Sequence, residues 1–150
     1  MEEKGTAVAE LLGQHRYQLD AKGRVALPGK FREAFGDGVF VTLGEDGCLY
    51  AFPQEEWARR REEARNRPLP GRAARDYARM FFGNAEQLAL DGQGRLVIPQ
   101  KLRAQIGLER DAVVVGVSDR LEIWSGPAWD RYEQARVGAY MAGALEPDGA

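Results

Sequence analysis

The chain has 150 residues, 44% hydrophobic and 29% charged, with a formal net charge of −2. That is the composition of a soluble globular protein, sized for one domain or two fused small ones, and it excludes an overall polycation, so any nucleic-acid contact must come from a local patch. With one cysteine, Cys48, and one histidine, His15, an intramolecular disulfide is impossible, and a Cys/His zinc cluster or a nucleophile–base pair is not expected.

Residues 1–12 are expected to form a flexible N-terminal arm, partly helical through Val8, Leu11 and Leu12. The opening residues read neither as a signal peptide nor as a membrane span, which makes a reducing cytoplasm the default. Organised structure is expected from about Gly13. Between Gln14 and Leu19, Tyr17 and Leu19 alternate with Arg16 and Gln18, a strand signal. Asp20 to Gly23 is a turn, with an aspartate to accept amide hydrogen bonds and a glycine that tolerates positive φ. Arg24 to Leu27 is the returning strand. Pro28 suits the first position of a short helix, on which Phe31 and Phe35 lie one turn apart and which Gly36 ends.

Val39 to Leu43 and Cys48 to Phe52 read as a hairpin around Glu45-Asp46-Gly47. A helix beginning near Pro53 carries Trp57 and a charged face that includes Arg59, Arg60 and Arg61. Pro68-Leu69-Pro70-Gly71 should break it, and a second helix should span Arg72 to about Phe82. The pattern then starts again.

Asp20-Ala21-Lys22-Gly23-Arg24-Val25-Ala26-Leu27-Pro28 is matched by Asp91-Gly92-Gln93-Gly94-Arg95-Leu96-Val97-Ile98-Pro99. Leu19/Leu90, Lys30/Lys101, Arg32/Arg103 and Gly36/Gly107 keep the same separation of 71 positions. Such a spacing is too long for a solenoid repeat and suits two copies of one small motif. Trp57 and Trp129 stand 72 apart, so one residue should have been gained, in the loop before the third strand of the second copy. A final helix is expected from Pro127 to Tyr140, followed by a frayed tail. The divisions are therefore an arm (1–12), a first motif (13–57), a helical linker (58–83), a second motif (84–129), and a C-terminal helix and tail (130–150).

The paired Asp-x-x-Gly-Arg turns, each followed by an aliphatic-x-aliphatic-Pro run and a short helix, resemble the MraZ family of bacterial transcriptional regulators. Each copy resembles the SpoVT/AbrB-type DNA-binding motif. Asp46-Gly47-Cys48-Leu49-Tyr50 with Glu56-Trp57, and Glu122-Ile123-Trp124 with Ala128-Trp129, extend the resemblance over about Gly13 to Trp129. It implies an α+β fold in which two tandem β-β-α-β-β motifs make a swapped-hairpin (double-split) β-barrel with flanking helices. It also implies a ring-like homo-oligomer that binds short direct repeats in double-stranded DNA, upstream of the division and cell-wall gene cluster, and hence a nucleoid-associated protein. No enzyme activity, cofactor, metal, small-molecule substrate or membrane partner is expected.

The expected DNA contacts are Arg24, Lys22, Arg16, His15, Arg95, Lys30 and Arg32, with the first copy more cationic because Gln87 and Gln93 replace Arg16 and Lys22 in the second. Asp20, Gly23, Asp91 and Gly94 should brace the loops: an arginine held by its own aspartate loses less side-chain entropy on binding. The plainer reading makes each Asp–Arg pair a turn-stabilising ion pair, Lys30 and Arg32 the wet face of a helix, and His15 a rim residue. The tryptophans and Cys48 read as core. The rival functional class is an oligomeric scaffold or antitoxin-like interaction module on the same fold.

Overall fold

The computed structural model describes residues 10–36, 38–66 and 71–147. Most of the expected arm, the Pro68-Leu69-Pro70 break and the last three residues lie outside them. The elements run β1 (Leu11–Gln18), β2 (Arg24–Ala26), α1 (Gly29–Phe35), β3 (Val39–Leu43), β4 (Leu49–Pro53), α2 (Gln54–Asn66), α3 (Arg72–Gly83), β5 (Glu86–Leu88), β6 (Arg95–Val97), α4 (Gln100–Gln105), β7 (Asp111–Ser118), β8 (Leu121–Ser125) and α5 (Gly126–Met141).

The first strand opens at Leu11 rather than Gly13, and Leu11 and Leu12 are extended, not helical. Tertiary pairing decides this. Leu11 lies opposite Ser118 on β7 and is buried in the core, which outweighs any local helical tendency.

The two copies interlock instead of folding side by side. A six-stranded sheet has the order β1-β7-β8-β4-β3-β5, and a separate two-stranded ribbon joins β2 to β6. All the pairings are antiparallel. Apart from the two hairpins β3–β4 and β7–β8, every strand pairs with a strand of the other copy. Exchanging the copies turns the strand order into its own reverse, so a pseudo-twofold axis runs through the molecule. It passes between Val25 and Leu96 in the ribbon and between Tyr50 and Glu122 in the sheet, equivalent residues that face each other. Among the described residues, hydrogen-bonded pairing gives two sheets, not one closed ring, because β1 and β5 end the larger sheet.

The register corrects the expected insertion. Val39 lies opposite Pro53, whereas Ala112 lies opposite Ser125. Val39 therefore corresponds to Ala112, 73 positions on, while Leu49 corresponds to Leu121, 72 on. Two residues were gained before the third strand and one was lost from the following hairpin turn. A net gain of one at the third strand would have turned each of its side chains to the opposite face.

Alternation along the strands divides the core in two. Leu49, Ala51, Ala112, Val114, Leu121 and Ile123 face one side, where they bury Val25 and Leu96 of the ribbon, Phe31 and Phe35 of α1, and Leu102 of α4. Phe52, Val113, Val115 and Trp124 face the other side, against Trp57, Phe81 and Trp129 of the longer helices. The ribbon and short helices thus cover one face of the sheet, and α2, α3 and α5 cover the other. Among the described residues, no helix is long and apolar enough to cross a membrane.

Candidate nucleic-acid interface

Each Asp-x-x-Gly-Arg turn closes on its aspartate. In the first, the amides of Lys22 and Arg24 donate to Asp20 Oδ1 at 2.9 and 3.0 Å, and Arg24 Nε donates to Oδ2 at 2.5 Å. In the second, the amides of Gln93 and Arg95 donate to Asp91 Oδ1, both at 2.9 Å, and Arg95 Nε donates to Oδ2 at 2.9 Å. Gly23 and Gly94 adopt φ of 76° and 75°, a left-handed conformation that a Cβ would strain. Their amides donate back to the carbonyls of Asp20 and Asp91.

Three donors converging on one carboxylate favour its charged form. The amide of Arg24, together with its guanidinium and the amide of Lys22, pulls the Asp20 carboxyl down to about 2. The Arg95 amide leads the corresponding lowering at Asp91. A depressed carboxyl contributes stability at pH above its unfolded value, and that contribution is lost as pH falls through the folded value. The first turn should therefore keep its geometry at neutral and mildly acidic pH, loosening only below about pH 4 and toward pH 2. A proton-exchange NMR titration should show the Lys22 and Arg24 amides shifting together near pH 2; a shared midpoint at 4 or above would contradict the bracing.

The ribbon aims both arginines the same way. Arg24 pairs with Val97, Val25 with Leu96 and Ala26 with Arg95. Directly opposed residues and residues two apart share a face, so Arg24, Ala26, Arg95 and Val97 form the outward surface while Val25 and Leu96 are fully buried beneath it. Diagonal neighbours on such a ladder lie about 7–8 Å apart. The arginine side chains are 26% and 30% exposed, so neither is sealed inside. Each is held through Nε, and among the described residues no protein acceptor takes a hydrogen bond from their Nη groups. Two planar forks therefore project from one face, related by the pseudo-twofold axis. Lys22 stands exposed at the tip of the first turn.

Of the other expected contacts, Arg16 points away from the ribbon side of the sheet. His15 and Arg16 are neighbours on β1 and point to opposite faces. Arg16 lies on the long-helix side, where Nη2 reaches Asp130 of α5 at 2.6 Å, and that carboxylate raises its pKa. His15 turns toward α1, edge-on to the Phe31 ring at 5.5 Å between centroids, with Nε2 buried and without a hydrogen-bond partner among the described residues. Lys30 places its ammonium 5.1 Å from the centre of the Phe31 ring. Arg32 donates from Nε to the Leu27 carbonyl at 3.3 Å. Its equivalent, Arg103, makes the same bond to Ile98 at 2.9 Å, a role that the wet-face reading of the helix misses. Val97, 48% exposed between the arginines, also went unmarked; strand alternation from the buried Leu96 and Ile98 would have found it.

Elsewhere, Glu56 is buried and bonded to Arg59 and Arg60, and Arg60 also reaches Asp119 at 3.2 Å and lies over the Phe52 ring. Part of the arginine run therefore ties α2 to the body of the protein. Cys48 is buried, and desolvation raises its thiol pKa, so it packs as a neutral apolar group.

A family profile described as "MraZ protein, putative antitoxin-like" matches residues 11–80 and again 81–139. The protein named "Transcriptional regulator MraZ" of Natranaerobius thermophilus is 43% identical over 82% of this chain and 86% of its own length. Proteins of the same name are 45% identical in Thermobifida fusca and 47% in Parafrankia sp., each alignment covering 91% of this chain and 96% of the relative.

Proposed function

The chain belongs to the MraZ family, and from that premise we propose that it is a transcriptional regulator that binds double-stranded DNA through the outward face of the β2–β6 ribbon. The observation that carries the reading is the placement of Arg24 and Arg95 on that one face, each braced by its aspartate, with their Nη groups projecting outward. A two-stranded ribbon fits the major groove, about 12 Å wide, and an arginine fork matches the O6/N7 edge of guanine.

The charge balance sets the division of labour. Asp20 and Asp91 offset much of the charge of their arginines, so these groups read bases better than they attract phosphates. A single bidentate contact discriminates by only about 1–3 kcal/mol. Two loops per chain make a weak monomer, and a ring-like homo-oligomer on short direct repeats multiplies the contacts. On the family resemblance, those repeats lie upstream of the division and cell-wall gene cluster, and the protein is associated with the nucleoid. Lys22 at the first turn, where the second turn has Gln93, makes the first loop the stronger phosphate partner.

A salt series tests this. On a duplex taken from upstream of the protein's own gene, log affinity should fall linearly with log salt, by about 0.9 per phosphate contacted. Affinity flat between 50 and 200 mM salt would reject the reading and favour the second one, an antitoxin-like protein-interaction module, which the family's antitoxin-like description supports.

A further inference from the structure

Resting on that reading, we propose that Arg32 and Arg103 are positioning residues acting in trans: each sets the Asp-x-x-Gly-Arg loop of the other copy. Arg103 belongs to the second copy, yet its guanidinium lies against Gly23 of the first. A methyl group added at Gly23 would stand 2.7 Å from Arg103 Cζ and 2.8 Å from its Nε. Arg32, from the first copy, covers Gly94 more closely still.

Backbone hydrogen bonds close each contact into a circuit. The Ile98 amide donates to the Gly23 carbonyl at 3.0 Å, and the Ile98 carbonyl accepts from Arg103 Nε at 2.9 Å. The Leu27 amide donates to the Gly94 carbonyl at 3.2 Å, and the Leu27 carbonyl accepts from Arg32 Nε at 3.3 Å. The same three-residue circuit thus occurs twice, related by the pseudo-twofold axis. In each, one residue of the opposite copy holds the turn glycine by hydrogen bond, and a planar group of that copy lies across the face where a Cβ would be. The glycine is needed for close approach as well as for its positive φ.

The consequence is a crossed dependence. The turn that carries Arg24 is braced from within by Asp20 and from outside by Arg103, whereas the turn that carries Arg95 depends on Asp91 and Arg32. An arginine anchoring only its own short helix would show no such crossing.

Amide hydrogen exchange on the full chain tests the crossing without DNA. In Arg103→Ala, exchange should quicken roughly three- to tenfold at Lys22 and Arg24, the range expected for one lost hydrogen bond, and less than twofold at Gln93 and Arg95. Arg32→Ala should give the reverse. Arg103→Lys keeps the stem and the charge, safeguards the fold, and should show the same localisation. Faster exchange confined to a variant's own loop, or equal at both loops, would overturn the proposal.

A binding cycle on the upstream duplex adds the functional readout. Arg32→Ala combined with Arg95→Ala should weaken binding no more than twofold beyond Arg95→Ala alone, while in Arg103→Ala combined with Arg95→Ala the two losses should multiply. Multiplication in both pairs would also overturn it. If the wild-type chain fails to bind the duplex, the DNA-binding reading fails, and the exchange pattern alone decides the crossed bracing.

Discussion

Replacing Arg24 by alanine is expected to abolish sequence-specific DNA binding while leaving the fold almost as stable as before. The stability side follows from exposure. Arg24 and Asp20 form a pair whose side chains are 26% and 35% exposed, and solvent-screened surface pairs add little to stability. Two amide bonds to Asp20 remain in the variant, so the turn keeps its shape. The binding side follows from placement. One fork of the ribbon is lost, at about 1–3 kcal/mol per base contact, and in the proposed oligomer the loss would recur in every subunit engaged on the DNA. Anisotropy titrations with the upstream duplex and an unrelated duplex of equal length, alongside thermal melts, separate the two effects. Nanomolar, selective binding by a folded Arg24→Ala protein would refute the assignment.

Trp57→Ala should do the opposite. Trp57 is 8% exposed and sits in an aromatic cluster that fastens α2 and α3 to the sheet. Its ring stacks on Phe40 at 5.1 Å and on Phe81 at 5.5 Å, and meets Phe82 and Phe52 edge-on or tilted. Truncating a buried tryptophan costs about 3–5 kcal/mol, which at this chain length lowers Tm by roughly 10 °C. The cluster lies on the far face of the sheet from the ribbon, so protein that remains folded should bind the duplex with affinity within about twofold of wild type, since distant sites act additively. An unchanged Tm would mean that the cluster fastens nothing; lost affinity at a temperature where the variant is folded would mean that the two faces are coupled.

Much of the ribbon was legible in advance because it repeats. Asp, Gly and Arg at fixed places in two copies mark the turns, and Pro28 and Pro99 mark the helix starts. His15 and Arg16, expected together with Lys22 and Arg24, part for a reason equally present in the sequence: consecutive residues of a strand point to opposite faces. Arg16 finds Asp130 across 114 positions, and no local pattern predicts so distant a partner. The third-strand register escaped because matching Trp57 to Trp129 counts only the net change of one. A gain of two followed by a loss of one looks identical from the flanks, and only the cross-strand partners separate them. Arg32 and Arg103 were visible as a matched pair, but their targets lie in the opposite copy, and chain pairing across copies leaves no trace in periodicity.

The pseudo-twofold axis has a consequence for direction. Two identical subunits around a true axis present a surface that cannot tell one way along a duplex from the other, and they favour inverted sites. Here both halves belong to a single chain, so each can vary alone: lysine at one tip is glutamine at the other, and Arg16 answers to Gln87. Such a reading head has a front and a back. Copies of it laid along DNA would all face the same way, and the sites that suit them would run head to tail.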